Sequence, residues 1–125
     1  MRNVTVAAIQ MSIPETPEKS VEKAEKLVRK AAAEGANVIL LPELFENWYF
    51  CQERRYDSYK LALPLEENPA VRRFQAVAKE LSVALPISFY EQDGNVLYNS
   101  VAMIDADGSV MGVYRKTHIP DDHFY

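Results

Sequence analysis

Cysteine, glycine and histidine are all scarce in this 125-residue chain, which has one, four and two of them. The single thiol, Cys51, rules out a disulfide within these residues and with it the stapled class of small secreted folds. No internal repeat or low-complexity segment interrupts the sequence. Positive charge is in deficit. Lys and Arg number 14 against 18 Asp and Glu, for a formal net charge of -4, which argues against a nucleic-acid binder needing a basic face. An acidic balance is compatible with a cationic small ligand but speaks chiefly to solubility. No apolar run approaches the roughly 20 residues that span a bilayer. Met1-Arg2-Asn3 leads straight into a strand-like pattern instead of a signal peptide, so a cytoplasmic setting without membrane contact is expected.

What remains is a globular composition, 48% hydrophobic and 26% charged, in a length that suits one domain or a piece of a larger one. Val4 to Ile9 is almost continuously apolar, the pattern of a strand covered on both faces. Thr16-Pro17 opens a helix, with Thr as cap and Pro at the first helical position. Val21, Ala24, Leu27, Val28 and Ala31 recur every three or four residues and give it one apolar face. The Lys, Arg and Glu residues between them form a solvated face, and Gly35 supplies a left-handed stop. Val38 to Leu41 is a second short strand, ended by Pro42. Strand, helix and strand make a βαβ unit with two parallel strands. Glu43 then lies just past the carboxyl end of a core strand, where open α/β sheets place their chemistry.

Residues 45–60 are irregular and aromatic, either a loop packed by its own rings or a pocket wall or subunit contact. Asn68-Pro69 starts a second helix, whose stripe is Val71, Phe74, Val77, Ala78 and Leu81. Val83 to Phe89 is a third strand in which Pro86 requires a bulge or an edge. Residues 92–95 form a turn. Val96 to Ile104 and Ser109 to Tyr114 are two further strands, joined by a hairpin at Asp105-Ala106-Asp107-Gly108. The order β-α-β-loop-α-β-β-β predicts a mixed sheet with two helices on one face, and its other face needs a further layer.

Several side chains are candidates for chemistry. Glu43 is flanked by apolar residues, which predicts a raised pKa suited to a general base; equally, it is a strand-end carboxylate bound to backbone amides. Lys116 follows a strand and suits a developing oxyanion, or is simply exposed. His118, Asp121, Asp122 and His123 are capable metal ligands, but their spacing fits no standard zinc pattern. Cys51, between Phe50 and Gln52, reads as a structural thiol, since a reactive one needs an electropositive setting.

Five blocks, in order, resemble the nitrilase, or carbon–nitrogen hydrolase, superfamily. They are Val6-Ala7-Ala8-Ile9-Gln10; Gly35 through Pro42-Glu43-Leu44-Phe45; Tyr98-Asn99-Ser100; Ile104-Asp105-Ala106-Asp107-Gly108; and Gly112-Val113-Tyr114-Arg115-Lys116-Thr117-His118-Ile119-Pro120. Within that superfamily, the segments Glu43 to Gln52 and Tyr114 to Asp121 most resemble the N-carbamoylputrescine amidase branch. The resemblance implies an α-β-β-α sandwich of which residues 1–125 form the N-terminal part, with the C-terminal part absent. It implies a Glu-Lys-Cys triad in which Glu43 is the general base and Lys116 stabilises the oxyanion. The cysteine, and a second supporting glutamate, belong further downstream; Cys51 cannot replace that cysteine, because it falls in the loop after Glu43. Tyr49 and His118 are implied as substrate-lining residues. The implied substrate is a small carbamoyl amine or amide, with no metal or organic cofactor and a homo-oligomeric assembly. The alternatives are another amidase or β-ureido hydrolase of the superfamily, or a non-catalytic domain that keeps the fold.

Overall fold

The computed structural model describes residues 3–53 and 56–120. Its elements are β1 (Val6–Ala8), α1 (Pro17–Ala33), β2 (Val38–Leu40), α2 (Pro69–Leu81), β3 (Leu85–Asp93), β4 (Val96–Ile104) and β5 (Val110–Arg115). Two 3₁₀ segments, Phe50–Glu53 and Tyr56–Leu61, give form to a stretch whose sequence pattern showed only irregularity.

Both helices begin where their caps require. Thr16 Oγ1 accepts from the Lys19 amide, and Asn68 Oδ1 accepts from the Val71 amide at 2.9 Å, each with proline in the first turn. Gly35, at φ 95°, ends α1 as expected. Val21, Ala24 and Val28 of α1 and Val71, Phe74, Val77 and Ala78 of α2 bury their apolar stripes against the sheet.

β1 and β2 are parallel, Val6 opposite Val38. β3, β4 and β5 form an antiparallel meander. A parallel bridge between Val38 and Ala84 joins the two parts in the order β1-β2-β3-β4-β5, the mixed sheet expected from the sequence. Pro86 explains why the join is so short. The amides of Ala84 and Gln92 both donate on the β2 side of the strand, to Asn37 and Leu63. Strand alternation directs residue 86 to that same edge, and proline has no N–H to continue the ladder. The turn after β3 is tighter than expected. β3 runs on to Asp93, leaving Gly94-Asn95 as a two-residue loop, with positive φ at Gly94 as a II′ turn requires.

The sheet has two unlike faces. Ile39, Leu85, Ile87, Phe89, Ala102 and Ile104 point at the helices and are fully buried. Alternate positions point away, and Val6 and Leu40 there are 72% and 49% exposed. The apolar run at Val4 to Ile9 therefore does not mark a strand covered twice within these residues. Both helices pack on one side; the opposite side is open at β1 and β2 and partly covered along β3 by the loop after β2, where Leu44 meets Ser88 and Phe50 meets Tyr90.

Candidate active site

The Glu43 position is set by its neighbours. Pro42 ends β2, and Leu44 turns into the left-handed region at φ 50°, uncommon for a non-glycine residue. That turn is pinned from both sides. The Leu44 amide donates to Ser88 Oγ on β3 at 2.9 Å. The next carbonyl, of Phe45, accepts from Ser20 Oγ on α1. The Phe45 ring is fully buried and meets Phe74 of α2 edge-on, with centroids 5.7 Å apart. Leu44 and Phe45 thus sink into the protein while Glu43 stays partly exposed at the surface.

Lys116 arrives from a position 73 residues later. Its backbone amide donates to the Asn99 carbonyl at 2.8 Å, extending the β4–β5 pairing by one residue. Its Nζ donates to Glu43 Oε1 at 2.9 Å, with side-chain exposures of 33% for the lysine and 44% for the glutamate. Arg115 faces the opposite side of the strand. Its guanidinium binds both carboxylate oxygens of the buried Glu91, at 2.7 and 2.9 Å, reaches Asp93 at 2.7 Å and stacks over the Tyr98 ring. Successive residues of an extended chain point to opposite faces. Anchoring Arg115 on the helix side therefore presents Lys116 on the open side.

The electrostatics correct one expectation. The Lys116 hydrogen bond holds the Glu43 carboxyl below its ordinary pKa; partial burial opposes this, and Asn99 reinforces it. The raised pKa expected from apolar flanking residues is overturned, because the cation that reverses it lies far away in sequence. Lys116 is pushed up, chiefly by its bond to Glu43. Both groups are charged at neutral pH. Tyr49, half-buried, is raised first by burial and then by the nearby Glu43 charge. Cys51 shares a side-chain hydrogen bond with Tyr49, and burial pushes its thiol up. That leaves it protonated at neutral pH, as befits a structural thiol and not an activated nucleophile.

Glu43, Lys116 and Tyr49 are thus brought together, whereas His118 is solvent-exposed and makes no hydrogen bond or ion pair with Glu43 or Lys116. Asp121, Asp122 and His123 lie outside the described residues; among the described residues no group of three or more His, Cys, Asp or Glu could hold a metal ion. Nor, among them, is any helix long and apolar enough to cross a membrane. No local signal in the sequence gives Asn99 a role. Its Nδ2 donates to Glu43 Oε1 at 2.6 Å. Its block, Tyr98-Asn99-Ser100, was visible in sequence, but its partner is set by strand register.

The chain has counterparts among known proteins. The carbon–nitrogen hydrolase family model matches residues 5–124. An N-carbamoylputrescine amidase of Oryza sativa is 50% identical over 122 residues, 98% of this chain and 40% of that protein. A citrullinase of Francisella tularensis is 46% identical over 121 residues, 97% of this chain and 42% of that protein. The crystal structure of a carbon–nitrogen hydrolase from Helicobacter pylori superposes with a TM-score of 0.88 at 31% identity, covering 98% of this chain and 42% of that one. Nit3 of Saccharomyces cerevisiae, a nitrilase-superfamily member, superposes at 0.78 with 22% identity over 92% of this chain, a likeness of fold. The chain therefore spans about two-fifths of the length of the relatives it matches. The fold is the nitrilase type, with the mixed sheet and one-sided helices expected for its N-terminal half. On the match across nearly all of its residues, the chain belongs to the carbon–nitrogen hydrolase family.

Proposed function

We propose that these residues form the N-terminal part of an amidase that hydrolyses a non-peptide C–N bond in a carbamoylated amine, N-carbamoylputrescine first among them. The observation that carries the reading is the 2.9 Å contact between Glu43 and Lys116, two charged groups 73 residues apart. It occurs in a chain about half identical to N-carbamoylputrescine amidases.

In this reading the nucleophile is a cysteine from the remainder of the parent protein, brought against the open side of the sheet. The Glu43 carboxylate takes the thiol proton, and the thiolate attacks the carbamoyl carbon. Lys116, kept protonated by Glu43, stabilises the oxyanion that forms. The C–N bond to the amine breaks, the amine leaves with the proton returned by Glu43, and a carbamoyl thioester remains. Water activated by Glu43 cleaves the thioester, and the resulting carbamate falls apart to carbon dioxide and ammonia. The balance is one ureido group and one water in, and one amine, one carbon dioxide and one ammonia out. No metal or organic cofactor enters this sequence. Tyr49, beside the ion pair, lines the substrate pocket. His118 is assigned the same role from its place two residues after Lys116. A homo-oligomeric, cytoplasmic enzyme completes the proposal.

The citrullinase relative favours a second reading, a ureido hydrolase whose substrate carries an amino-acid end. Ammonia release from a panel of carbamoylated amines and ureido acids, using the full-length parent, separates the two. Glu43→Gln and Lys116→Ala are each expected to cost roughly a hundredfold or more in kcat/KM. Full turnover by either variant removes that residue from the mechanism.

A further inference from the structure

Glu43 uses its two oxygens unequally. Oε1 accepts from Lys116 Nζ at 2.9 Å and from Asn99 Nδ2 at 2.6 Å, while among the described residues nothing donates to Oε2. Asn99 does more than contribute one bond. Its backbone carbonyl accepts the Lys116 amide at 2.8 Å, so one residue holds the carboxylate through its side chain and the lysine through its backbone. Opposite Asn99 in the β3–β4 ladder stands Tyr90, with Leu97 and Val101 two residues away along the strand, so the residue is fixed by a continuous antiparallel register. A carboxylate free to rotate about its terminal bond would offer either oxygen to a proton donor. Two directional donors on one oxygen stop that rotation and reduce the basicity of the oxygen they occupy.

We propose that Asn99 is a positioning residue of the amidase site, which locks Oε1 of Glu43 against Lys116 and leaves Oε2 as the atom that takes the proton of the attacking nucleophile. The inference rests on Glu43 acting as the base. The titratable groups around that base are Lys116 at the end of β5 and Tyr49 and Cys51 in the loop after β2. Asn99 is the uncharged donor among them. It can therefore set the orientation of the carboxylate without adding to the charge of the site.

The test uses the full-length parent enzyme and the pH dependence of kcat/KM, whose acid limb reports the base of the free enzyme. Asn99→Ala removes a donor that favours the ionised carboxylate. The acid limb is expected to rise by about 0.5–1 pH unit, and kcat/KM at neutral pH to fall roughly tenfold. Asn99→Asp keeps the shape but brings a negative charge, and should move the limb higher still. Asn99→Ser, whose hydroxyl is too short to reach Glu43, serves if either variant fails to fold. Glu43→Gln separates this inference from the functional reading. Its amide oxygen can accept from Asn99 and Lys116 while its NH₂ replaces Oε2, so it should fold, melting slightly below the parent for loss of a half-exposed ion pair, and lose roughly a hundredfold or more of its activity. If Glu43→Gln is inert and the folded Asn99 variants keep the parental acid limb, the positioning role is wrong and the amidase reading stands. Should Glu43→Gln turn over substrate at the parental rate, Glu43 is not the base and the positioning role falls with it; a parent that releases no ammonia from any carbamoylated substrate overturns the amidase reading itself.

Discussion

Replacing Ser88 by alanine probes the link between a strained turn and the carboxylate it presents. Leu44 is in the left-handed region at φ 50°, which costs a non-glycine residue about 1–2 kcal/mol. Such a conformation persists when its surroundings over-determine it. Here the determinant on the sheet side is a single bond, the Leu44 amide to Ser88 Oγ at 2.9 Å, between residues 3% and 7% exposed. Ser88→Ala removes the acceptor and leaves a buried N–H without a partner. The expected loss is about 1–3 kcal/mol, the desolvation cost of one unsatisfied polar group. Ser88→Thr retains the hydroxyl and serves as the control. Equilibrium urea unfolding of the full-length parent reads the difference, and ammonia release from N-carbamoylputrescine reads its consequence for Glu43, the residue immediately before the turn. The reasoning is refuted if Ser88→Ala stays within about 0.5 kcal/mol of the parent, the range of an ordinary surface substitution.

Other perturbations test different parts of the fold. Asn68→Ala removes the cap of α2 and also a 3.0 Å bond to Glu46, so it should cost about 1–2 kcal/mol and exceed Thr16→Ala, whose cap bond is 3.4 Å and exposed; equal losses would count against the geometry. Gly108→Ala should destabilise by more than about 1 kcal/mol, because φ is +87° and a Cβ there would meet the Gln75 carbonyl at 2.6 Å; a neutral melting temperature would show that the hairpin is not seated on α2. Two carboxylates should respond to pH with opposite signs. Glu91 is held low, chiefly by Arg115, so its stabilisation is present above the unfolded pKa and is lost as pH falls through the folded one. Glu91→Gln should be the less stable protein at neutral pH, with the gap closing in acid. Glu46 is raised by burial, so its ionised form opposes folding at neutral pH, and Glu46→Gln should stabilise there and lose its advantage in acid. Thermal melts across pH decide both, and matching signs would overturn one of the two assignments.

The helices were legible because their signals are local. Thr16-Pro17 and Asn68-Pro69 set the starts, Gly35 set one stop, and the spacing of Val71, Phe74, Val77 and Ala78 named a buried face that the structure confirms. The Asp105 to Gly108 hairpin and the parallel β1–β2 pair follow from equally short-range rules. Glu43 and Lys116 could be singled out as strand-end charges, and the order of blocks around them named the family, but their contact could not be read from composition or spacing. It depends on β5 pairing with β4 so that Arg115 stands opposite Ser100, on Arg115 being drawn to Glu91 on the far side, and on a left-handed Leu44 held by Ser88. The pairs Arg115–Glu91, Leu44–Ser88 and Lys116–Glu43 are 24, 44 and 73 residues apart. The same distance explains the mistaken sign of the Glu43 shift. Flanking leucine and phenylalanine predict desolvation, whereas the sum is decided by a cation and an amide that only tertiary structure delivers. Asn99 was present in a recognised block and silent there, since strand register alone decides that its side chain meets a carboxylate and its carbonyl a lysine. Local sequence thus determined the elements and the residue types at their ends. The tertiary structure decided which charges meet, because an electrostatic interaction depends on distance in space and not along the chain.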